Sequence, residues 1–297
     1  MAMKKIVHIG ARYFDKLFNA TVIRNIEIII LRLAVFSFLI HLVIIYLGNN
    51  YNYFGVYHHN YLKAIYTPFS FILFYEVLLL VVIIPKSISE FIGKQFEVIT
   101  LITLRGFFHD IADINFKNSF LLTNHEFISL IYDLIASILM LALTIIYYKI
   151  YLKNNKQDKI NELANFINIK KLVSIGMIFI LLILSIGALF QWSNEMIIAL
   201  RVDKNYPNPN TVFYTDFFTI MIFIDVLLLL ISFIYHFSFF TIFRNASFII
   251  TTILIRMSLT IEKPMNHLIV LSGFIFAITS FYLYGLRIID QKSNKSE

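Results

Sequence analysis

The chain alternates between long apolar runs and short polar segments, and the length of the runs decides how to interpret them. A helix that crosses a bilayer needs about 20 mostly apolar residues. Segments 26–47, 66–85, 127–148, 172–190, 212–235 and 268–286 meet that requirement. Two further runs are interrupted by charge: 95–108 contains Glu97 and Arg105, and 245–259 contains Arg256. The pattern predicts an all-α integral membrane protein, a polytopic helical bundle. It has eight spans if both weaker runs cross and six if neither does.

Composition supports lipid as the solvent. Of the 297 residues, 59% are hydrophobic and 14% are charged. A soluble domain carries about 25% charged residues, and one this apolar could not cover its own surface. The mean hydropathy is +0.77. The net charge of +7 does not point to nucleic acid, because the basic residues sit in short segments between apolar runs. That is the pattern of membrane orientation. With no cysteine, disulfides, thiolate metal sites and thiol catalysis are excluded. The first apolar run is too long for a signal-peptide core, and no small-residue cleavage site follows it, so it is expected to remain as a span.

Charge asymmetry separates eight spans from six. With eight, segments 1–25, 86–94, 149–171, 236–244 and 287–297 share one side and hold 17 Lys and Arg, against 5 on the other side. With six, the lysine-rich segment 149–171 falls outside, contrary to the excess of Lys and Arg on cytoplasmic loops. Eight spans with both termini cytoplasmic is therefore the expectation, in a cytoplasmic membrane of bacterial type.

Polar landmarks recur along the chain in the same order. Asp15-Lys16-Leu17 matches Asp158-Lys159-Ile160, and Asn25-Ile26 matches Asn168-Ile169. Tyr66-Thr67 matches Tyr214-Thr215, and the segment from Glu76 to Leu80 matches that from Asp225 to Leu229. Arg105 matches Arg256, and Asn124-His125 matches Asn266-His267. The expected organisation is two tandem four-helix repeats. A basic amphipathic leader occupies 1–25, the first membrane repeat 26–148, a basic linker with a second leader 149–171, the second repeat 172–287 and a tail 288–297. Four spans per unit make the units parallel, with a pseudo-two-fold axis along the membrane normal. In the first leader, Ile6, Ile9, Tyr13, Phe14, Leu17 and Phe18 recur near helical spacing among Lys4, Lys5, Arg12 and Lys16. This suits an interfacial helix on an anionic leaflet, either as a topology anchor or as a lipid or partner sensor.

Charges at membrane depth are the candidate chemistry. Each costs at least ~2.5 kcal/mol on insertion scales and needs a partner or a wet cavity. From depth along the spans, the expected ion pairs are Glu76–Arg105 and Asp225–Arg256, one per repeat. Each pair either pins its bundle or serves as a gate or coupling site on a transport path. Alternatively, Arg105 reaches outward to Asp110 or Glu126 and leaves Glu76 alone and protonatable. Arg32 stands early in the first span. Asp133 has no counterpart, since Ile275 occupies its place in the second repeat, and it reads as an unpaired intramembrane acid. His125 and His267 open the fourth span of each unit at the outer face, as interfacial rings or pH-sensitive groups. His41 reads as a core histidine. No His or Glu spacing suits a metal, and no phosphate loop or nucleophile elbow is present. No cofactor, nucleic-acid partner or enzyme activity is therefore expected. The partners expected are the lipid bilayer and either a homo-oligomer or another membrane protein. The leading function is a channel or carrier for an ion or small solute. The alternative is a non-transporting scaffold, assembly or sensor subunit.

Overall fold

A computed structural model describes the backbone of residues 2–51, 61–113, 125–158, 164–202, 210–235, 239–259, 261 and 263–296, and the side chains of most of them. These residues form helices, with no strand among them. In chain order they are α1 (Ala2–Leu17), α2 (Ala20–Tyr51), a 3-10 turn (Tyr61–Ile65), α3 (Tyr66–Val82), α4 (Ile88–Asp113), α5 (His125–Asp158), α6 (Ala164–Val202), α7 (Asn210–Tyr235), α8 (Phe239–Ser258) and α9 (Met265–Ser296). Backbone hydrogen bonds close within each helix, the only open-ended arrangement that lipid tolerates. Among the described residues, five segments are long and apolar enough to cross a membrane: Ala20–Leu47, Phe127–Lys153, Phe166–Gly187, Phe239–Ser258 and Met265–Leu286. The protein is thus a helical chain with several candidate membrane spans. The weaker run at 245–259 lies within α8, one of these five. Thr67–Val82 is a shorter apolar helix.

Side-chain distribution is the reverse of a soluble fold. Phe36, Leu39, Val43, Ile138, Phe179, Ile183, Phe223 and Leu283 face outward, whereas Gln95, Asp133, Lys170, Asp225, Asn245, Thr252 and Arg256 are buried. Apolar surface facing lipid costs nothing, so the bundle turns its polar groups towards one another.

Helices adjacent in sequence pack in pairs: α2 on α3, α3 on α4, α4 on α5, then α6 on α7, α7 on α8 and α8 on α9. The two halves then meet through α4 on α8 and α5 on α9, with α3 and α1 both against α6. Two apolar cores result. One joins Leu73, Val77 and Leu80 of α3 to Met177 and Leu181 of α6 and Phe217 and Met221 of α7. The other joins Phe96 of α4, Met140 and Tyr147 of α5, Phe248 of α8, and Phe274 and Phe281 of α9. In this second core Phe96 stacks on Phe274 with ring centroids 3.7 Å apart.

The bundle has two distinguishable ends. At the Pro85 end, Lys170 Nζ donates to the Lys86 carbonyl at 3.0 Å, and Tyr147 Oη donates to the Ser89 carbonyl at 2.7 Å. Lys171 pairs there with Asp15 of α1 at 2.7 Å. Arg244, near the start of α8, lies over the Tyr284 ring of α9. The opposite end carries the connection from α8 to α9, with Lys263.

The expected boundaries shift where helix continues past the apolar run. The chain turns at Phe18 and Asn19, so residues 20–25 of the expected leader are the first turns of α2. Of the expected linker, residues 149–158 are the last turns of α5 and residues 164–171 the first turns of α6, and the expected tail continues α9 to Ser296. Lys and Gln, which are abundant there, are strong helix formers in water.

Candidate functional site

α4 runs through the middle of the bundle and carries polar groups at both of its ends. Lys94 lies six residues after Ile88, where α4 begins, and Glu76 lies six residues before Val82, where α3 ends. In an antiparallel hairpin those positions are level, and Lys94 Nζ is 2.6 Å from Glu76 Oε2. The same ammonium is 2.7 Å from Glu97 Oε2, and Tyr148 Oη of α5 donates to Glu97 Oε1 at 2.6 Å. Glu76 therefore pairs with Lys94, which corrects the expected Glu76–Arg105 pair. Arg105 stands eleven residues beyond Lys94, about 16 Å further along the axis at ~1.5 Å per residue.

The two arginines also differ in facing. Residues 92, 93, 95, 96, 99, 100 and 103 of α4 are buried, and so are the residues 152 positions later in α8: 244, 245, 247, 248, 251, 252 and 255. Thr100 Oγ1 donates to the Phe96 carbonyl, and Thr252 Oγ1 to that of Phe248, at the same offset. The match of Arg105 with Arg256 uses an offset of 151. One residue is about 100° of helix rotation. Arg256 therefore occupies the place of Leu104 and points inward, while Arg105 is half-buried on a neighbouring face.

Asp225 and Arg256 do meet. Arg256 Nη2 is 2.9 Å from Asp225 Oδ2, with both side chains almost fully buried. Arg256 Nη1 donates to the Phe218 carbonyl at 3.4 Å. Beside this pair, Thr252 Oγ1 lies 2.9 Å from Gln95 Oε1, a hydrogen bond from the second half of the chain to the first. A small cavity bounded by Leu80, Gln95, Ile102, Phe218, Ile255 and Arg256 has room for about one water molecule. Gln95 went unnoticed in the sequence because no repeated landmark marks it. A buried amide beside an arginine is visible only after packing.

A second cluster closes the opposite end. Asp133 Oδ2 is 2.7 Å from Lys263 Nζ, and Asp133 Oδ1 is 2.7 Å from His267 Nε2. Lys263 also reaches Asp110 Oδ2 at 2.9 Å, and Ser129 Oγ donates to that same oxygen at 2.8 Å. Asp133 is thus paired, which corrects the expected unpaired acid. Its cation comes from the connection between α8 and α9, a segment that spacing along α5 cannot reveal. His267 is buried on this carboxylate. The side chain of His125 lies outside the described residues, as do residues 52–60 with their aromatic stretch. Gly106 makes the clasp sterically feasible, because a Cβ there would stand 2.7 Å from Asp133 Oδ2. Burial lowers the Lys263 ammonium, but the hydrogen bonds and charges of Asp133 and Asp110 outweigh it and hold the group above its ordinary value.

Two further positions fall away from these clusters. His41 contacts Thr67 Oγ1 across α2 and α3. Arg32 lies on the exposed face of α2. Comparison with protein families, with curated proteins and with solved structures finds no match for this chain.

Proposed function

We propose that the chain is a multi-pass membrane carrier or channel for an ion or small solute, its path following the seam between two tandem four-helix units. The observation that carries this reading is the buried Asp225–Arg256 pair beside the Gln95–Thr252 bond, where α4 of one half meets α8 of the other. Lipid cannot solvate such groups, and intramembrane charges gathered at a repeat interface tend to border a path.

The duplication is supported by helix pairing. α4 packs on α8 and α5 on α9, which are the partners in the landmark alignment, as expected where equivalent elements meet across a two-fold axis. The shared buried face of α4 and α8 adds to this. Eight crossings are supported by the contacts at the Pro85 end. Asp15 and Lys171 touch, so segments 1–25 and 149–171 lie on one side, as eight crossings require and six forbid. The excess of Lys and Arg makes that side cytoplasmic.

A second reading is favoured by the tightness of the seam. Phe96 on Phe274, Tyr147 against Phe281 and a cavity of about one water suit a scaffold or assembly subunit that passes nothing. Flux separates the two. The purified chain in liposomes is expected to pass a tracer ion or solute, and Asp225→Asn or Glu76→Gln to change the rate. No flux across a panel of ions and small solutes, with a fixed membrane protein co-purifying, overturns the transport reading in favour of the scaffold.

A further inference from the structure

α2 carries a charge on the face that it turns outward. Ile30 and Ala34 are buried against the bundle, whereas Arg32, midway between them and about 200° of helix rotation from each, is exposed among Ile28, Ile29, Phe36 and Leu39. The contact of His41 with Thr67 sets α2 against α3. Nine residues from that contact along each antiparallel helix stand Arg32 and Glu76, so Arg32 is level with the Glu76–Lys94 pair but points away from it. Arg24 is exposed about two turns nearer to α1. α1 adds further cations at the same end, and its rotation is fixed on α6. Ala11 and Phe14 are buried, a Cβ on Gly10 would stand 2.9 Å from Leu172 Cδ1, and Asp15 pairs with Lys171. Two rows of side chains are left outward, each with a period of four. Ile9, Tyr13 and Leu17 form one, and His8, Arg12 and Lys16 form the other, about 100° away. The two acids of these helices are engaged elsewhere: Asp15 by Lys171, and Glu27 by the Tyr75 hydroxyl of α3. Among the described residues, no carboxylate pairs with Arg12, Lys16, Arg24 or Arg32.

We propose that α1 and the first half of α2 form a binding surface for anionic phospholipid in the leaflet at the Pro85 end. The row of Ile9, Tyr13 and Leu17 lies among acyl chains, and Arg12, Lys16, Arg24 and Arg32 take the phosphates. Apolar and cationic rows side by side on one helix match the boundary between acyl chains and headgroups. Four cations without a counter-charge from the protein favour a headgroup of net negative charge over a zwitterionic one, whose own ammonium already neutralises its phosphate. The placement of Arg32 favours lipid over a protein partner. A partner helix would have to bring a carboxylate into the bilayer to meet it, at the cost of burying a second charge. A lipid phosphate instead waits at the interface, towards which the long arginine stem can extend. The Asp15–Lys171 bridge and the close approach at Gly10 hold α1 in position, so the surface is formed before lipid arrives. The inference is independent of transport and holds equally for a carrier and for a scaffold.

Native mass spectrometry of the full chain in detergent, titrated with equal amounts of phosphatidylglycerol and phosphatidylcholine, tests the surface. The wild type is expected to retain phosphatidylglycerol in preference. Arg24→Gln and Arg32→Gln should each lower that preference about fivefold. Lys149→Gln with Lys153→Gln removes two exposed cations, also spaced by four, from the same end of α5, and should leave the preference nearly unchanged. All four positions are exposed, so the variants should melt like the wild type. Equal retention of the two lipids by the wild type, or an equal loss in the α5 double variant, means a diffuse positive charge and overturns the inference. A protein that co-purifies in fixed ratio and is released by Arg32→Gln gives the α2 face to a protein partner and overturns it as well. The seating of α1 has its own readout in phosphatidylglycerol vesicles. A nitroxide attached at Tyr13→Cys should be relaxed by oxygen, which concentrates among acyl chains, and one at Arg12→Cys by a neutral nickel chelate, which stays in water. Access of the chelate to both positions lifts α1 off the bilayer and overturns the surface. A lipid preference with no flux of any solute sinks the transport reading and leaves this surface standing, and flux with equal lipid retention does the reverse.

Discussion

Glu76 chooses its cation by position along a hairpin. Lys94 is level with it across the α3–α4 turn and Arg105 is not, so charge reversal distinguishes the two. Glu76→Lys and Lys94→Glu are each expected to destabilise the protein by on the order of 3 kcal/mol, because each strands a largely buried charge. The double reversal should recover most of the loss in a detergent melt, whereas Glu76→Lys with Arg105→Glu should recover none. Gly106 offers a steric counterpart. A methyl group at that position would displace Asp133 from Lys263 and His267, so Gly106→Ala should cost about 1–3 kcal/mol, and its cost should shrink in an Asp133→Asn background. The Lys263 ammonium stands above its ordinary value of 10.5. Its contribution is therefore complete below pH 10.5 and fades as pH rises through the elevated value. Melting temperature should fall more steeply above pH 10.5 in the wild type than in Lys263→Met.

At the scale of elements, a single residue of register separates α4 from α8. The landmark alignment matches the arginines, while the buried faces match one position away, and tertiary packing follows the faces. The reason is that a helix is anchored by its whole buried stripe, polar positions such as Gln95, Asn245 and Thr252 included, against which the placement of one residue is a minor term. Phe96 sits in that stripe and stacks on Phe274. Phe96→Ala is expected to cost about 3–5 kcal/mol. The Phe96→Ala, Phe274→Ala double variant should cost clearly less than the sum of its two single variants, since both remove the same contact. α1 is the opposite case, an element that packs on the bundle chiefly through α6. Ala11 and Phe14 face the bundle while Ile9, Tyr13 and Leu17 face outward with Arg12 and Lys16. That arrangement matches a helix lying in a membrane interface.

For the whole molecule, the placement of chain ends tests eight crossings against six. The chain has no cysteine, so single cysteines report accessibility without background. Cysteines at Lys16, Lys86 and Lys156 should all be labelled by an impermeant reagent from the same side of sealed membranes, and a cysteine at Lys117 from the other. Labelling of position 156 from the side opposite to position 16 would remove the parallel arrangement and the path drawn along its seam.

The apolar runs by themselves determined that this is a helical membrane protein and placed its helices, because twenty apolar residues in lipid have no alternative that satisfies their backbone. They also brought Asp225 and Arg256 forward as partners, since buried charges at similar depth must find each other. Tertiary structure alone decided the rest. Which cation reaches Glu76, which segment supplies the partner of Asp133, and the presence of Gln95 beside the buried pair all depend on helix rotation and on contacts between residues far apart in the chain. Spacing along one helix fixes depth to within a turn. It does not fix which neighbour lies across the groove.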